Sequence, residues 1–457
     1  MKLVYDVKDK PKFTQLIVFA IQQLLAIMAA TLVVPVIINS NAGLEGADAM
    51  STAAALFGAG VGTLVYILFT KRKSPVFLGS SFAFIGSMTA AFAGAASAAA
   101  GYIGIILGAC FAGLIYVIIA LIIKLVGINW LNKIMPAVVI GPTVAIIGLS
   151  LAGNAIGDLK TANAGGNTNI AVLCGLVTLL VTMLCSTFGK KTTKLIPFII
   201  GILAGYLVAG IFTAIGMATG NDALLITNFS ALTALWENGI SLSTFFAVPD
   251  FTFVTAFKGI SDISLSYVGS VAVAYIPVAL VVFAEHIADH KNISSIIEKD
   301  LLEDPGLSRT LLGDGVGSMF GAFFGGCPNT TYGESVACVA ITRNASVATI
   351  ATTAVLAIII SFLSPFVAFV NTIPSCVMGG VCMALYGFIA VSGLKMIQKV
   401  DLEQNKNLFV VSAILIAGIG GLQLSFGKIT ITAIACALIL GIVINLVLAN
   451  KKDKTEN

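Results

Sequence analysis

The chain has 457 residues, of which 58% are hydrophobic and 10% charged, with a mean hydropathy of +1.03. A soluble globular domain carries about 25% charged residues, so the composition excludes a soluble fold and defines a polytopic membrane protein. The net charge of +4 is spread along the chain, and no basic patch marks a nucleic-acid partner.

Apolar runs of about 17–25 residues mark spanning helices. In chain order they fall at 14–39, 51–70, 77–94, 100–125, 136–152, 169–187, 195–217, 265–289, 310–326, 331–345, 347–370, 374–397, 408–424 and 429–449. The first run is too long for the apolar core of a signal peptide and reads as a retained span. Runs 77–94 and 331–345 are short, start after polar residues and contain glycines, so they predict broken spans. The expected fold is therefore all-α and polytopic, with about 14 transmembrane segments.

The charges support the count. If every run crosses once, all but Lys160, Lys258 and Lys428 of the 25 lysines and arginines fall on the side that holds both termini. By the positive-inside rule that side is the cytoplasm. The connection 220–264 is the longest, and faces outward with Trp236, Phe245 and Phe246 near the interface. The tail 451–457 is charged and reads as a disordered end.

The eight cysteines (Cys110, Cys174, Cys185, Cys327, Cys338, Cys376, Cys382 and Cys436) lie in or beside apolar segments with no C-x-x-C spacing, so neither a disulfide framework nor a zinc cluster is indicated. No phosphate-binding loop occurs, which argues against ATP drive.

A weak internal repeat is visible. Gly79-Ser80-Ser81-Phe82-Ala83 resembles Asn329-Thr330-Thr331-Tyr332-Gly333, and Met135-Pro136-Ala137-Val138-Val139-Ile140-Gly141 resembles Ile373-Pro374-Ser375-Cys376-Val377-Met378-Gly379, in the same order. Seven spans per half is an odd number, so the halves run in opposite directions. This is the inverted-repeat plan of secondary transporters, with the site between repeats near mid-membrane. The two broken spans then face each other. Each helix start presents unpaired N–H groups and a positive dipole end to a polar ligand, and Gly333 admits close approach to the backbone.

Four carboxylates, Glu285, Asp289, Asp314 and Glu334, are expected inside the membrane. An acid there costs at least ~2.5–3.5 kcal/mol and by default marks a substrate or proton path. Glu285 and Asp289 share a helix face, which suits a shared proton, although Asp289 also reads as a surface residue beside Lys291. Asp314, among Gly313, Gly315 and Gly317, reads as a network residue. His286 and His290, four apart, would hold zinc only with further ligands, and the residue after His286 is Ile287 rather than the zincin Glu. His290 is expected at the cytoplasmic headgroups. An intramembrane metalloenzyme and an anion carrier or channel are thus alternative readings, the latter at odds with four acids.

These residues resemble the nucleobase–ascorbate transporter family, and within it the uracil branch. The resemblance covers nearly the whole chain and is densest over Glu285-His286, Asp304-Pro305-Gly306-Leu307 and 328–343. The family signature is an acid, Gln or Pro, then Asn, any residue and Gly, followed after four residues by Thr and a basic or Gly residue. Here it reads Glu334-Ser335-Val336-Ala337, then Thr342-Arg343, with Ser335 and Ala337 in place of Asn and Gly. Gly79-Ser80-Ser81-Phe82-Ala83-Phe84 and Pro374-x-x-Val377-Met378-Gly379-Gly380 match as well.

The resemblance implies two inverted seven-span repeats. A core domain (1–130 and 261–371) would hold the site, and a gate domain (131–260 and 372–457, with the cytoplasmic tail) would pack a homodimer. It also implies proton-coupled uptake across a bacterial inner membrane with no cofactor beyond the proton gradient. Glu285 and Glu334 would bond the base N–H groups, the Phe82 and Gly333 amides its carbonyls, with Ser81 and Tyr332 alongside and Tyr386 facing from the gate. Glu285 and Asp289 would carry the proton, with Gln23, His286 and Asp314 as a supporting network. Asp289 stands where the uracil branch usually has His, as in the purine branch, and Gln22-Gln23 stands for the family's Gln-His. Tyr332-Gly333-Glu334 favours uracil over xanthine or urate.

Overall fold

The computed structural model describes residues 3–127, 129–190, 193–194, 196–237, 239–426 and 429–449. Lys2, Lys191, Lys428 and the tail 451–457, which entered the charge argument, lie outside the described residues.

The chain is mostly helical, as its composition requires: in hydrocarbon every backbone polar group must be satisfied within the protein. Among the described residues eight helices are long and apolar enough to cross a membrane. They include Phe13–Ala42, Ala98–Val126, Pro197–Thr219 and Leu265–Ile297. Five shorter apolar helices accompany them, among them Phe82–Ala93, Gly333–Thr342 and Val347–Ser361. Polar caps set several starts: the Ser51, Ser97 and Ser264 hydroxyls accept from Ala54 N, Ala100 N and Tyr267 N.

Close helix packing rests on small residues. The helix Thr52–Phe69 lies against Leu307–Gly325 so closely that a β-carbon on Gly58 would meet the Gly321 carbonyl oxygen at 2.6 Å. Helix Leu265–Ile297 contains Pro277, which removes one backbone donor from its ladder. Near that break Ser87 Oγ donates to the Ala274 carbonyl at 2.7 Å, tying the short helix Ile85–Ala93 to the long one.

The two expected broken spans are broken. In each, a three-residue strand precedes a short helix: strand β1 is Leu78–Ser80 and strand β2 is Asn329–Thr331. They pair antiparallel in the register Leu78↔Thr331, Gly79↔Thr330, Ser80↔Asn329. A second antiparallel pair, Leu424–Phe426 with Ile429–Ile431, forms a hairpin where the sequence suggests only the end of one span and the start of the next.

One expectation about a polar residue is corrected. Asp158, which falls in the connection between runs 136–152 and 169–187, lies near the end of the helix Ala152–Leu159 and is buried, a carboxylate beyond the four singled out from the sequence. The connection 220–264 contains the short helices Ser230–Glu237 and Thr252–Phe257, and it joins the rest of the chain where Ala247 N donates to the Phe362 carbonyl. Trp236, Phe245 and Phe246 on it are exposed.

Candidate functional site

The strand pair β1–β2 is irregular backbone deep in an apolar protein, and its polar groups are all the more in need of partners. Thr63 Oγ1 accepts from Leu78 N at 2.9 Å and donates to Leu78 O at 3.2 Å. Ser81 N donates to Pro328 O and Tyr332 N to Phe77 O. Asn329 Nδ2 donates to Gly58 O at 3.1 Å, and Tyr332 Oη donates to Ser80 O at 2.8 Å. A β-carbon on Gly79 would collide with the Tyr332 ring, so glycine is required for this crossing.

The 3-10 turn Phe82–Phe84 and the helix Gly333–Thr342 start directly after the strands. First residues of a helix have no intrahelical acceptor for their N–H groups, so the Phe82 and Gly333 amides are unclaimed by their own helices. Beside them lies a cavity of about 340 Å³, within the range of small-molecule sites. Its wall includes Phe82, Glu285, Asp289, Tyr332, Gly333 and Glu334. Glu285, Ala288 and Asp289 present one face of the helix Leu265–Ile297, as their spacing requires. Asp289 faces this cavity and accepts from Thr331 Oγ1 at 2.8 Å, so it is not the surface partner of Lys291. The arrangement offers carboxylate acceptors and backbone donors to a flat polar ligand.

A second face of the same helix carries His286 and His290, whose rings stack with centroids 4.0 Å apart. His286 Nδ1 is 2.7 Å from Asp314 Oδ2, and Nε2 is 3.0 Å from Thr310 Oγ1. His290 Nδ1 donates to the His286 carbonyl at 2.8 Å, and its Nε2 is 2.7 Å from Tyr66 Oη, which is 2.7 Å from Ser74 Oγ. Both histidines are wholly buried, which corrects the headgroup location expected for His290. The helix runs on to Ile297, so its ordered protein environment extends past the apolar run. All four ring nitrogens are engaged with protein atoms. Among the described residues no group of three or more His, Cys, Asp or Glu is placed to hold a metal ion.

The remaining expected residues surround this centre without lining the cavity. Gln23 Nε2 donates to Ser335 Oγ at 2.6 Å, and Ser335 Oγ accepts from Phe77 N at 3.1 Å, so Gln23 braces the helix Gly333–Thr342 against the first strand. Ser81 is wholly buried. Tyr386, on helix Ser375–Ile397, is buried with its ring edge-on to Phe82, centroids 5.6 Å apart.

Phe82 also borders a second cavity, of about 670 Å³, whose wall includes Asn41, Tyr267, Ser270 and Gln423. The first cavity reaches exposed residues at Ser186, Lys194 and Asn292. Tyr267 and Asn292 stand toward opposite ends of one helix, roughly 38 Å apart at 1.5 Å per residue. The cavities therefore open at opposite ends of the molecule and meet at Phe82.

Several wall residues escape the sequence reading. Thr330 belongs to the quoted repeat, and Phe388, Ile389 and Ser392 follow Tyr386 on its helix, so adjacency to those motifs is a usable signal. Val144 and Phe198 are plain apolar residues of spanning helices and carry none.

A multi-pass helical protein with a polar site between two broken helices, reached from both ends, is a membrane permease by fold and site. Residues 14–426 match the family described as "Permease family", and the chain belongs to it. It is 37% identical over 459 residues to the uracil permease of Bacillus caldolyticus, covering 100% of this chain and 97% of that one. It is 33% identical over 445 residues to the uracil permease of Escherichia coli (strain K12), covering 96% and 93%. Among solved structures, the transmembrane domain of a cyanobacterial bicarbonate transporter, BicA, aligns over 96% of this chain and 100% of that one, with TM-score 0.60 and 14% identity. SLC26A9 aligns over 98% of this chain and 67% of that one, with TM-score 0.62 and 11% identity. These two similarities concern the fold alone.

Proposed function

We propose that the chain takes up uracil as a proton symporter working by alternating access, and is a transporter rather than an enzyme. The observation that carries this reading is the convergence of Glu285, Asp289 and Glu334 with two helix starts on one cavity. Uracil presents two N–H donors and two carbonyl acceptors around a flat ring. Glu285 and Glu334 accept from its N–H groups, and the Phe82 and Gly333 amides donate to its carbonyls. Tyr332 and Ser81 hold the backbone in place, and Tyr386 packs on Phe82 from the far side. Relatives named as uracil permeases match over nearly their whole length, which supports the substrate.

Protonated Glu285 holds the base, and loss of its proton toward the cytoplasm weakens the hold, with Asp289 as proton partner and Gln23, His286 and Asp314 as the network behind them. The antiparallel β1–β2 pair supports two inverted seven-span repeats making about 14 spans. In this reading residues 1–130 and 261–371 form a core domain that moves against a gate domain, 131–260 and 372–457, through which two copies dimerise. Phe82, bordering both cavities, supports alternating access. The cation distribution supports cytoplasmic termini in a bacterial inner membrane.

A purine substrate is the second reading, favoured by Asp289 on the cavity wall. Carriage of an anion fits a wall with three carboxylates poorly. The test is uptake of labelled uracil into proteoliposomes with and without an inward proton gradient, with xanthine as competitor. Gradient-driven accumulation that ignores xanthine is expected. Competition by xanthine supports the purine reading, and accumulation without a gradient overturns proton coupling.

A further inference from the structure

At the end of the molecule that carries the N-terminus, a groove of about 600 Å³ lies between the last turns of helix Thr52–Phe69 and the first turns of helix Val347–Ser361. Its floor is apolar, made by Leu64, Ile67 and Leu68 from one helix and Val347, Ala348 and Ala351 from the other. Its rim carries Lys8, Lys10, Lys71, Arg72 and Lys73 against one acid, Asp9. Lys73 is committed to Asp304, at 2.5 and 2.8 Å. Among the described residues no ion pair is made by Lys8, Lys10, Lys71 or Arg72.

The groove is built rather than incidental. Val347 N donates to Val7 O at 3.1 Å and Ser346 Oγ donates to Asp9 O at 2.6 Å, strapping the N-terminal segment along one wall. Lys71 and Arg72 both adopt left-handed backbone, φ 52° and 58°, which long side chains rarely take. Their amides donate to Leu68 O and Ile67 O and close the helix end, so two cations occupy positions where glycine is the usual choice. Leu68 is 68% exposed on the flank of a membrane-crossing helix, where acyl chains run.

The geometry points to a binding site for an anionic phospholipid, with the headgroup phosphate among Lys8, Lys10, Lys71 and Arg72 and the acyl chains on the apolar floor. Basic pockets between spanning helices recognise anionic headgroups by this division of charge and grease. The same cations would attract free phosphate, but an apolar floor continuous with an exposed leucine serves only a ligand with a tail. The site is separate from the substrate cavity: the two share no wall residue.

The test is native mass spectrometry of the purified full chain in mild detergent with equimolar phosphatidylglycerol and phosphatidylcholine. Wild type is expected to retain phosphatidylglycerol over phosphatidylcholine by about fivefold or more. K8Q/K10Q/K71Q/R72Q should bring the ratio to parity, whereas K395Q/K399Q/K406Q, which removes three cations that do not line the groove, should leave it unchanged. Parity in wild type, or an unchanged ratio in the groove variant, overturns the proposal. Ala348→Trp fills the floor with every cation in place and should also abolish retention. Undiminished retention there, or full displacement of the lipid by millimolar inorganic phosphate, identifies a headgroup-only anion site and overturns the lipid assignment.

Discussion

His286 Nδ1 and Asp314 Oδ2 stand 2.7 Å apart, both side chains wholly buried, on two helices that carry opposite walls of one network. The pair continues through the stacked His290 ring to Tyr66 and Ser74. His290 Nδ1 must donate to the His286 carbonyl, so in the neutral ring Nε2 accepts from Tyr66, which accepts in turn from Ser74. The orientation of the whole chain follows from one carbonyl.

Removing one partner of a buried hydrogen-bonded pair strands the other. Asp314→Ala is expected to destabilise by about 1–3 kcal/mol, and H286L/D314L together by distinctly less than the sum of the two single changes. Unfolding of the detergent-solubilised variants measures the cycle. Additive losses would mean that the two residues act separately.

At the cavity, Glu334→Ala should weaken uracil binding by about tenfold to a hundredfold, the worth of a hydrogen bond to a charged group. Titration calorimetry on purified protein reads it, and unchanged affinity would remove Glu334 from the site. Glu285→Gln should abolish gradient-driven accumulation. Full accumulation by that variant would exclude Glu285 as the coupled proton's carrier.

The crossing of the two strands is sterically tight. Gly79→Ala drives a methyl group into the Tyr332 ring and should cost about 1–3 kcal/mol. Tyr332→Phe leaves the Ser80 carbonyl without its hydroxyl donor and should cost a similar amount. Thermal unfolding of each variant checks both, and neutral substitutions would show that the crossing relaxes freely.

Outside the membrane, the Lys299 ammonium hydrogen-bonded to Asp6 at 2.5 Å holds that carboxyl below its ordinary value of 3.8. A depressed acid contributes stability above its unfolded value and loses it as the pH falls through the folded one. The pair is half exposed, so the contribution is about 0.2–1 kcal/mol. Asp6→Asn should lower the unfolding temperature slightly at neutral pH, with the difference vanishing below the ordinary carboxylate range. A difference that persists in acid would assign the effect to packing.

Much of this was legible in the chain. Long apolar runs announce the spanning helices, and acids among apolar residues announce Glu285, Asp289 and Glu334, because both signals reflect transfer costs that no neighbour has to supply. Residues that depend on distant partners were not legible. Strands of three residues carry no period, and Leu78 finds Thr331 only through the fold. His290 lies just past the end of an apolar run, where hydropathy says surface, yet the helix continues and Tyr66 covers it. Asp158 sits in a stretch of glycine and asparagine that reads as a loop, and its burial comes from packing that composition does not encode.

Phe82 separates two cavities that enter from opposite ends. A voltage falls mainly across the least conducting layer in its path, so if both cavities fill with water the transmembrane field would concentrate at Phe82, which borders both. A unit charge crossing the membrane exchanges about 2.3 kcal/mol per 100 mV, and Glu285 lines one of these cavities together with Phe82. If Glu285 carries the coupled proton, as proposed, uptake would respond to membrane potential as well as pH, and the voltage dependence of uptake would report from which side of Phe82 the proton boards.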